Sequence, residues 1–150
     1  MIRVAIVGLG GISAAHIQAY LTFPERCRIV ALVDIVPEKA RKRAEEYGIS
    51  CDILDDHHLL LDRRDIDLVD ICTPPYVHAE ISVNCLRAGM NVLCEKPMAS
   101  NAREVRRMQG CAKEHGVVLL EAMKSVFEPS FDVLRKALPR LGTLRRATLS

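Results

Sequence analysis

Five short apolar runs recur along the chain: Ile2 to Val7, Arg28 to Val33, Leu68 to Cys72, Asn91 to Cys94 and Val117 to Leu120. They are rich in Val, Ile and Leu and nearly continuous rather than alternating. Strands with both faces covered, as in a parallel sheet, have this pattern. Between the runs the apolar spacing lengthens to that of a helix. Ala40, Ala44 and Tyr47 fall at i, i+4 and i+7, behind Pro37 at a first helical position and ahead of Gly48 as a stop. Ala79, Val83 and Leu86 repeat the spacing and end at Gly89. Val105, Met108, Ala112 and His115 repeat it again and end at Gly116, with Asn101 and Glu104 at the capping-box interval. A short third strand is expected near Cys51 to Leu54, and a last helix from Pro129 to about Leu138. Because parallel neighbours need crossover helices, the alternation predicts an α/β fold: a doubly wound parallel sheet with strand order 3-2-1-4-5-6.

Composition narrows what this sheet can be for. A chain of 150 residues, 49% hydrophobic, suits one domain that removes roughly 70% of its unfolded surface from water, and is too short for two full ones. Residues 1–142 carry the alternation. After the Leu141-Gly142 turn, Thr143 to Ser150 alternate weakly, as the first strand of a further domain would. The net charge is +2, and the basic clusters at Lys39 to Arg43, Arg103 to Arg107 and Arg140 to Arg146 lack interleaved aromatics, so they read as solvated faces and not as a nucleic-acid footprint. The six cysteines are widely spaced with no C-x-x-C pair, which favours reduced, buried thiols in a cytoplasmic protein and no metal site. No leader-like start and no apolar stretch near 18 residues is present, so neither secretion nor a membrane partner is expected.

The first apolar run opens into Gly8-Leu9-Gly10-Gly11-Ile12-Ser13. A glycine turn between a strand and a helix offers free backbone N–H groups, and the positive end of the helix dipole, to an anion. Gly8 permits the tight turn, Gly10 lets the backbone approach a pyrophosphate, Gly11 and Ile12 complete the loop, and Ser13 stands where a third glycine is usual. The second run ends at Asp34, about 20 residues on, where a carboxylate can accept hydrogen bonds from adenosine ribose hydroxyls. A carboxylate there repels a 2'-phosphate, and Ile35 and Val36 supply no cation, so NAD is favoured over NADP. The competing readings are a purely structural turn and an Asp34 that only caps the turn before Pro37.

The carboxyl ends of strands one and four flank the crevice of a doubly wound sheet, so Thr73, Pro74 and Pro75 are expected against the cofactor. His78, in the first turn of the following helix, either touches ribose or nicotinamide or merely caps. The next strand ends Glu95-Lys96-Pro97. Successive extended residues point to opposite sides, so Glu95 and Lys96 need not pair. Lys96 can then donate a hydrogen bond to a carbonyl or hydroxyl oxygen as hydride moves at the neighbouring carbon; a surface lysine at a strand end is the bland alternative.

Together these residues resemble the amino-terminal domain of the Gfo/Idh/MocA oxidoreductases, the family of glucose-fructose oxidoreductase and inositol dehydrogenase, whose nucleotide domain is a Rossmann fold. The likeness runs through the glycine loop, Asp34, Thr73-Pro74 with His78, Glu95-Lys96-Pro97, and Glu121-Ala122 leading to Phe127 and Pro129. The resemblance implies a nicotinamide enzyme acting on a secondary alcohol or carbonyl of a sugar, cyclitol or related small molecule, with Lys96 as catalytic lysine and Glu95 near the nicotinamide ribose. It also implies a second α/β domain that completes the pocket and builds a homo-oligomer, so the 150 residues alone are expected to be inactive. Pro75, where many members carry asparagine, and Val126, where many carry arginine, depart from the family pattern. A non-catalytic dinucleotide-sensing or regulatory protein of the same fold is the alternative, and the retained Lys96 argues against it.

Overall fold

The computed structural model describes residues 1–143, 145 and 146. β1 (Ile2–Val7), β2 (Cys27–Val33), β3 (Asp52–Leu54), β4 (Leu68–Ile71), β5 (Asn91–Cys94) and β6 (Leu119–Glu121) form one parallel sheet in the order β3-β2-β1-β4-β5-β6, as the apolar runs predict. The helices are α1 (Ser13–Leu21), α2 (Pro37–Tyr47), α3 (Pro75–Arg87), α4 (Ala102–His115) and α5 (Pro129–Ala137), with 3-10 turns at His57–Leu60, Lys124–Phe127 and Leu138–Leu141. Val7 is in register with Val33 and with Ile71, and Ile71 with Cys94. Four strands therefore end level, and the loops that follow them meet along one rim.

Local sequence explains the helix limits. Pro37, Pro75 and Pro129 each open a helix at a position whose N–H has no intrahelical partner. Gly48 and Gly116 close α2 and α4 at φ +63° and +65°, a left-handed turn that a side chain would resist. Asn101 caps α4 by accepting the Glu104 N–H at 3.0 Å, and the Glu104 carboxylate reaches back to the Ser100 N–H at 3.0 Å, one residue earlier than the usual reciprocal bond.

The period-two alternation of β1 divides the core. Val4 and Ile6 pack with Leu32, Ile17 and Ala40 under α1 and α2, whereas Ala5 and Val7 join Val69, Ile71, Val92, Leu86 and Met108 under α3 and α4. Each fully buried aliphatic side chain contributes about 1.5–3 kcal/mol relative to exposure. On the α1 side, Asp70 in β4 breaks the apolar run: it is completely buried, and α1 rather than a further helix reaches over it. Helix α5 buries none of its residues. All six cysteines are free thiols. No helix among the described residues is long and apolar enough to cross a membrane. The strand expected over Thr143 to Ser150 falls largely on residues 144 and 147–150, which lie outside the described residues.

Candidate functional site

Gly8 sits where two loops touch. Its φ is +92°, its N–H donates to the Val33 carbonyl at 2.8 Å, and a Cβ there would lie 2.8 Å from the Cys72 carbonyl carbon and from Thr73 N and Cγ2. Gly10 and Gly11 differ from it: a Cβ on either would meet no heavy atom within 4 Å, so their backbone faces open space. Helix α1 then begins at Ser13 with no side-chain cap and no acidic residue in its first turn. Its leading N–H groups and dipole are left for an acceptor from outside. Ser13 is buried, and its hydroxyl donates to the Gly10 carbonyl at 2.7 Å, so the residue in the third-glycine position closes the loop instead of loosening it.

Asp34 binds both neighbouring loops. One carboxylate oxygen accepts the Leu9 N–H at 2.8 Å, the other the Val36 N–H at 2.9 Å. Each oxygen keeps a second acceptor site, so the capping role and a ribose-binding role are compatible in one side chain. Beside these loops lies a cleft of about 990 Å³, walled by Gly8, Gly10, Asp34, Ile35, Thr73 and Pro74 among the residues singled out from sequence. Thr73 lines the cleft, and its Oγ1 is buried without a hydrogen-bond partner, a state that folded proteins rarely leave unanswered. The open glycine backbone, the uncapped helix start, the Asp34 carboxylate and this orphaned hydroxyl together fit a dinucleotide.

The remaining sequence-selected residues take other places. Gly11 lines a smaller neighbouring cavity of about 290 Å³ with Gly10, Lys39, Lys42 and Arg43. Ile12 is exposed at the residue before α1, and Pro75 is the first residue of α3, where its missing N–H is not needed. His78 is fully buried, with Nδ1 3.0 Å from the Pro97 carbonyl and Nε2 2.7 Å from the Thr73 carbonyl. It staples the loop after β4 to the turn after β5. His57, Leu59 and Tyr76 form a cleft wall that no motif marks; they meet the glycine loop because β3 lies beside β2 and α3 follows β4.

The turn after β5 divides its two charged residues as the strand alternation predicts. Glu95 is buried and Lys96 exposed, and the Lys96–Pro97 peptide is cis. One Glu95 oxygen accepts the Lys96 N–H at 3.0 Å; the other lies 3.1 Å from Nε2 of His16. The opposite ring nitrogen, Nδ1, is 2.8 Å from Asp70, which also accepts the Tyr20 hydroxyl at 2.9 Å. The hydrogen bond to Asp70, opposed by burial and aided by Glu95, pushes the His16 pKa up to about 9. Burial and the Asp70 charge push the Tyr20 phenol and the Cys72 thiol far above their ordinary ranges, so both stay neutral and Cys72 is no nucleophile. No motif marks this cluster, although one acid inside the run Leu68 to Cys72 is a visible signal.

A model of the GFO_IDH_MocA family, described as an oxidoreductase family with an NAD-binding Rossmann fold, matches residues 2–123. The chain is 36% identical over 156 residues to scyllo-inositol 2-dehydrogenase (NADP(+)) IolU of Bacillus subtilis (strain 168), covering 100% of this chain and 45% of that protein. It is 29% identical over 142 residues to myo-inositol 2-dehydrogenase of Thermotoga maritima, covering 95% of this chain and 42% of that one. Among solved structures, the WlbA dehydrogenase from Bordetella pertussis in complex with NADH and UDP-GlcNAcA superposes with a TM-score of 0.85 at 26% identity, covering 93% of this chain and 42% of that one. The chain thus spans less than half the length of the curated relatives it matches.

Proposed function

Since the chain belongs to the Gfo/Idh/MocA oxidoreductase family, through a match over residues 2–123, we propose that it is the dinucleotide-binding domain of a two-domain dehydrogenase that oxidises a secondary alcohol, or reduces the matching carbonyl, of a cyclitol, sugar or related small molecule. The observation that carries this proposal is the level ending of β1, β2, β4 and β5, which gathers the open glycine backbone, Asp34, Thr73 and Lys96 on one rim. Bound nicotinamide dinucleotide supplies the hydride acceptor or donor. The chain's own residues do the rest. The Gly10 and Gly11 amides and the start of α1 hold the pyrophosphate, Asp34 accepts from the adenosine ribose, Thr73 contributes its unpartnered hydroxyl, and the Lys96 ammonium holds or releases a proton at the substrate oxygen. The relatives named as inositol dehydrogenases support a polyol substrate. The test is an NADH titration of the chain by calorimetry beside a polyol and sugar turnover panel. Saturable binding by the 150 residues, with turnover confined to the two-domain enzyme, is expected; turnover by the 150 residues alone overturns the two-domain assignment.

NAD is the cofactor favoured by the buried Asp34, but a specific observation supports NADP as a second reading. Lys39, Lys42 and Arg43 gather beside Gly10 and Gly11, with Lys39 Nζ 4.0 Å from Asp34 and Arg43 Nη2 3.3 Å from the Gly10 carbonyl. A cation paired with Asp34 weakens the repulsion of a 2'-phosphate, and IolU, named for NADP(+), is a relative. If NADP is used, Lys39→Ala with Arg43→Ala will raise the Kd for NADPH about tenfold or more while the Kd for NADH changes less than about threefold. Fluorescence titrations at low and high salt check this, and equal losses for both nucleotides exclude the cationic pocket as a 2'-phosphate site.

A further inference from the structure

We propose that His16 is a positioning residue for hydride transfer: as an imidazolium held between Asp70 and Glu95, it ties the phosphate-loop helix to the turn that carries Lys96. The role rests on the dehydrogenase reading above, but its physical basis is independent of it.

Both ring nitrogens of His16 face carboxylates, Nδ1 at 2.8 Å from Asp70 and Nε2 at 3.1 Å from Glu95. A neutral ring has one N–H, so it would turn a lone pair toward one of the two acids. Only the doubly protonated ring donates to both. The groups around it come from every element that packs there. Asp70 projects from β4, and Glu95 follows β5. Tyr20, one turn further along α1, donates to the same Asp70 oxygen, and Cys72 lies with its sulfur 3.7 Å from the other. Burial and the neighbouring acid keep Tyr20 and Cys72 neutral, so neither competes with the ring as the charged donor.

Burying such a group adds little net stability, because desolvation offsets the attraction. Its effect is geometric. Ser13, whose backbone opens α1 at the phosphate loop, and His16 stand three residues apart on adjacent turns of one rigid helix. The Glu95 carboxylate that His16 grips also accepts the Lys96 N–H. A single ring therefore links the backbone that receives the pyrophosphate to the backbone that aims the ammonium. Lowering the ring's charge removes one donor, frees Glu95 to turn and loosens Lys96, while the glycine loop and Asp34 keep their own hydrogen bonds. Because the ring's pKa is raised above its unfolded value near 6.5, this linkage is fully present below that pH and is lost as pH rises through about 9.

The test combines a spectroscopic and a kinetic readout. In the 150-residue chain labelled with ¹⁵N-histidine, both His16 ring nitrogens should carry protons at neutral pH and titrate near 9, and Glu95→Gln should lower that midpoint by about one unit or more. In the two-domain enzyme, His16→Gln should lower kcat about 10- to 100-fold, while the Kd for NADH and the substrate KM move less than about threefold. Wild-type kcat should fall through the same alkaline limb, and His16→Gln should lack it. A ring with one proton at neutral pH, or a midpoint at or below 6.5, overturns the proposal, as does an active enzyme whose His16→Gln form matches wild type in kcat. Should His16→Gln not fold, the wild-type ring titration and the presence or absence of the alkaline limb decide. A wild-type protein that neither binds NADH nor turns over refutes the dehydrogenase reading and leaves the ring titration to judge the linkage.

Discussion

Gly8→Ala is expected to destabilise the chain by about 3 kcal/mol or more and to remove NADH binding with it. Two costs add. At φ +92° an L side chain pays a conformational penalty of about 1–2 kcal/mol, and the new methyl would stand 2.8 Å from three atoms of Cys72 and Thr73, two of them backbone, so nothing flexible can give way. Relief requires the β1–α1 turn and the loop after β4 to part, which breaks the Gly8 N–H bond to Val33 and the rim on which the cleft is built. Against a typical total of 5–15 kcal/mol the loss is large. Gly10→Ala is the control that separates packing from binding. Its Cβ meets no atom within 4 Å, so stability should change by less than about 1 kcal/mol while the Kd for NADH rises about tenfold or more, because the methyl occupies space the ligand needs. Denaturant unfolding beside NADH titration checks both. A Gly8→Ala chain as stable as wild type, or a Gly10→Ala chain with unchanged affinity, would show that the two glycines do not divide the work in this way.

That division was half legible in the sequence. Gly8, the sheet order and the exposed Lys96 beside a buried Glu95 follow from local rules: a turn after a strand, apolar runs between crossover helices, and period-two alternation. What stayed hidden depends on partners far apart in the chain. His16 meets residues 54 and 79 positions away, and neither a lone histidine nor a lone strand aspartate announces the other. Asp70 was nonetheless conspicuous, since an acid inside a doubly covered strand must find a donor. The cation near Asp34 is hidden for a different reason: the residues that directly follow it, Ile35 and Val36, carry no charge, whereas the first turn of α2 brings Lys39 back toward the end of β2. The His57 and Tyr76 wall depends on the adjacency of β3 and β2, and its residues carry no pattern of their own.

Lys96→Met should have the largest effect on chemistry and almost none on the fold. The side chain is exposed, so the substitution removes an ammonium and little packing. Among the described residues no ion pair joins Lys96 to Glu95, whose oxygens lie against His16 and the Lys96 backbone N–H. If the ammonium serves the substrate oxygen as proposed, its loss should lower kcat of the two-domain enzyme about 100- to 10,000-fold. The Kd for NADH should stay within about threefold, because the proposed pyrophosphate and adenosine-ribose contacts follow β1 and β2 and not β5. Lys96→Arg keeps the charge but replaces a compact rotating donor by a planar fork, so it should rescue only part of the rate. A dinucleotide sensor of the same fold predicts otherwise: binding unchanged by either substitution, and no turnover in the wild type to lose. Steady-state rates on a polyol panel, read beside NADH titration of the same samples, distinguish the two, and a Lys96→Met enzyme that retained wild-type kcat would assign proton transfer to another residue.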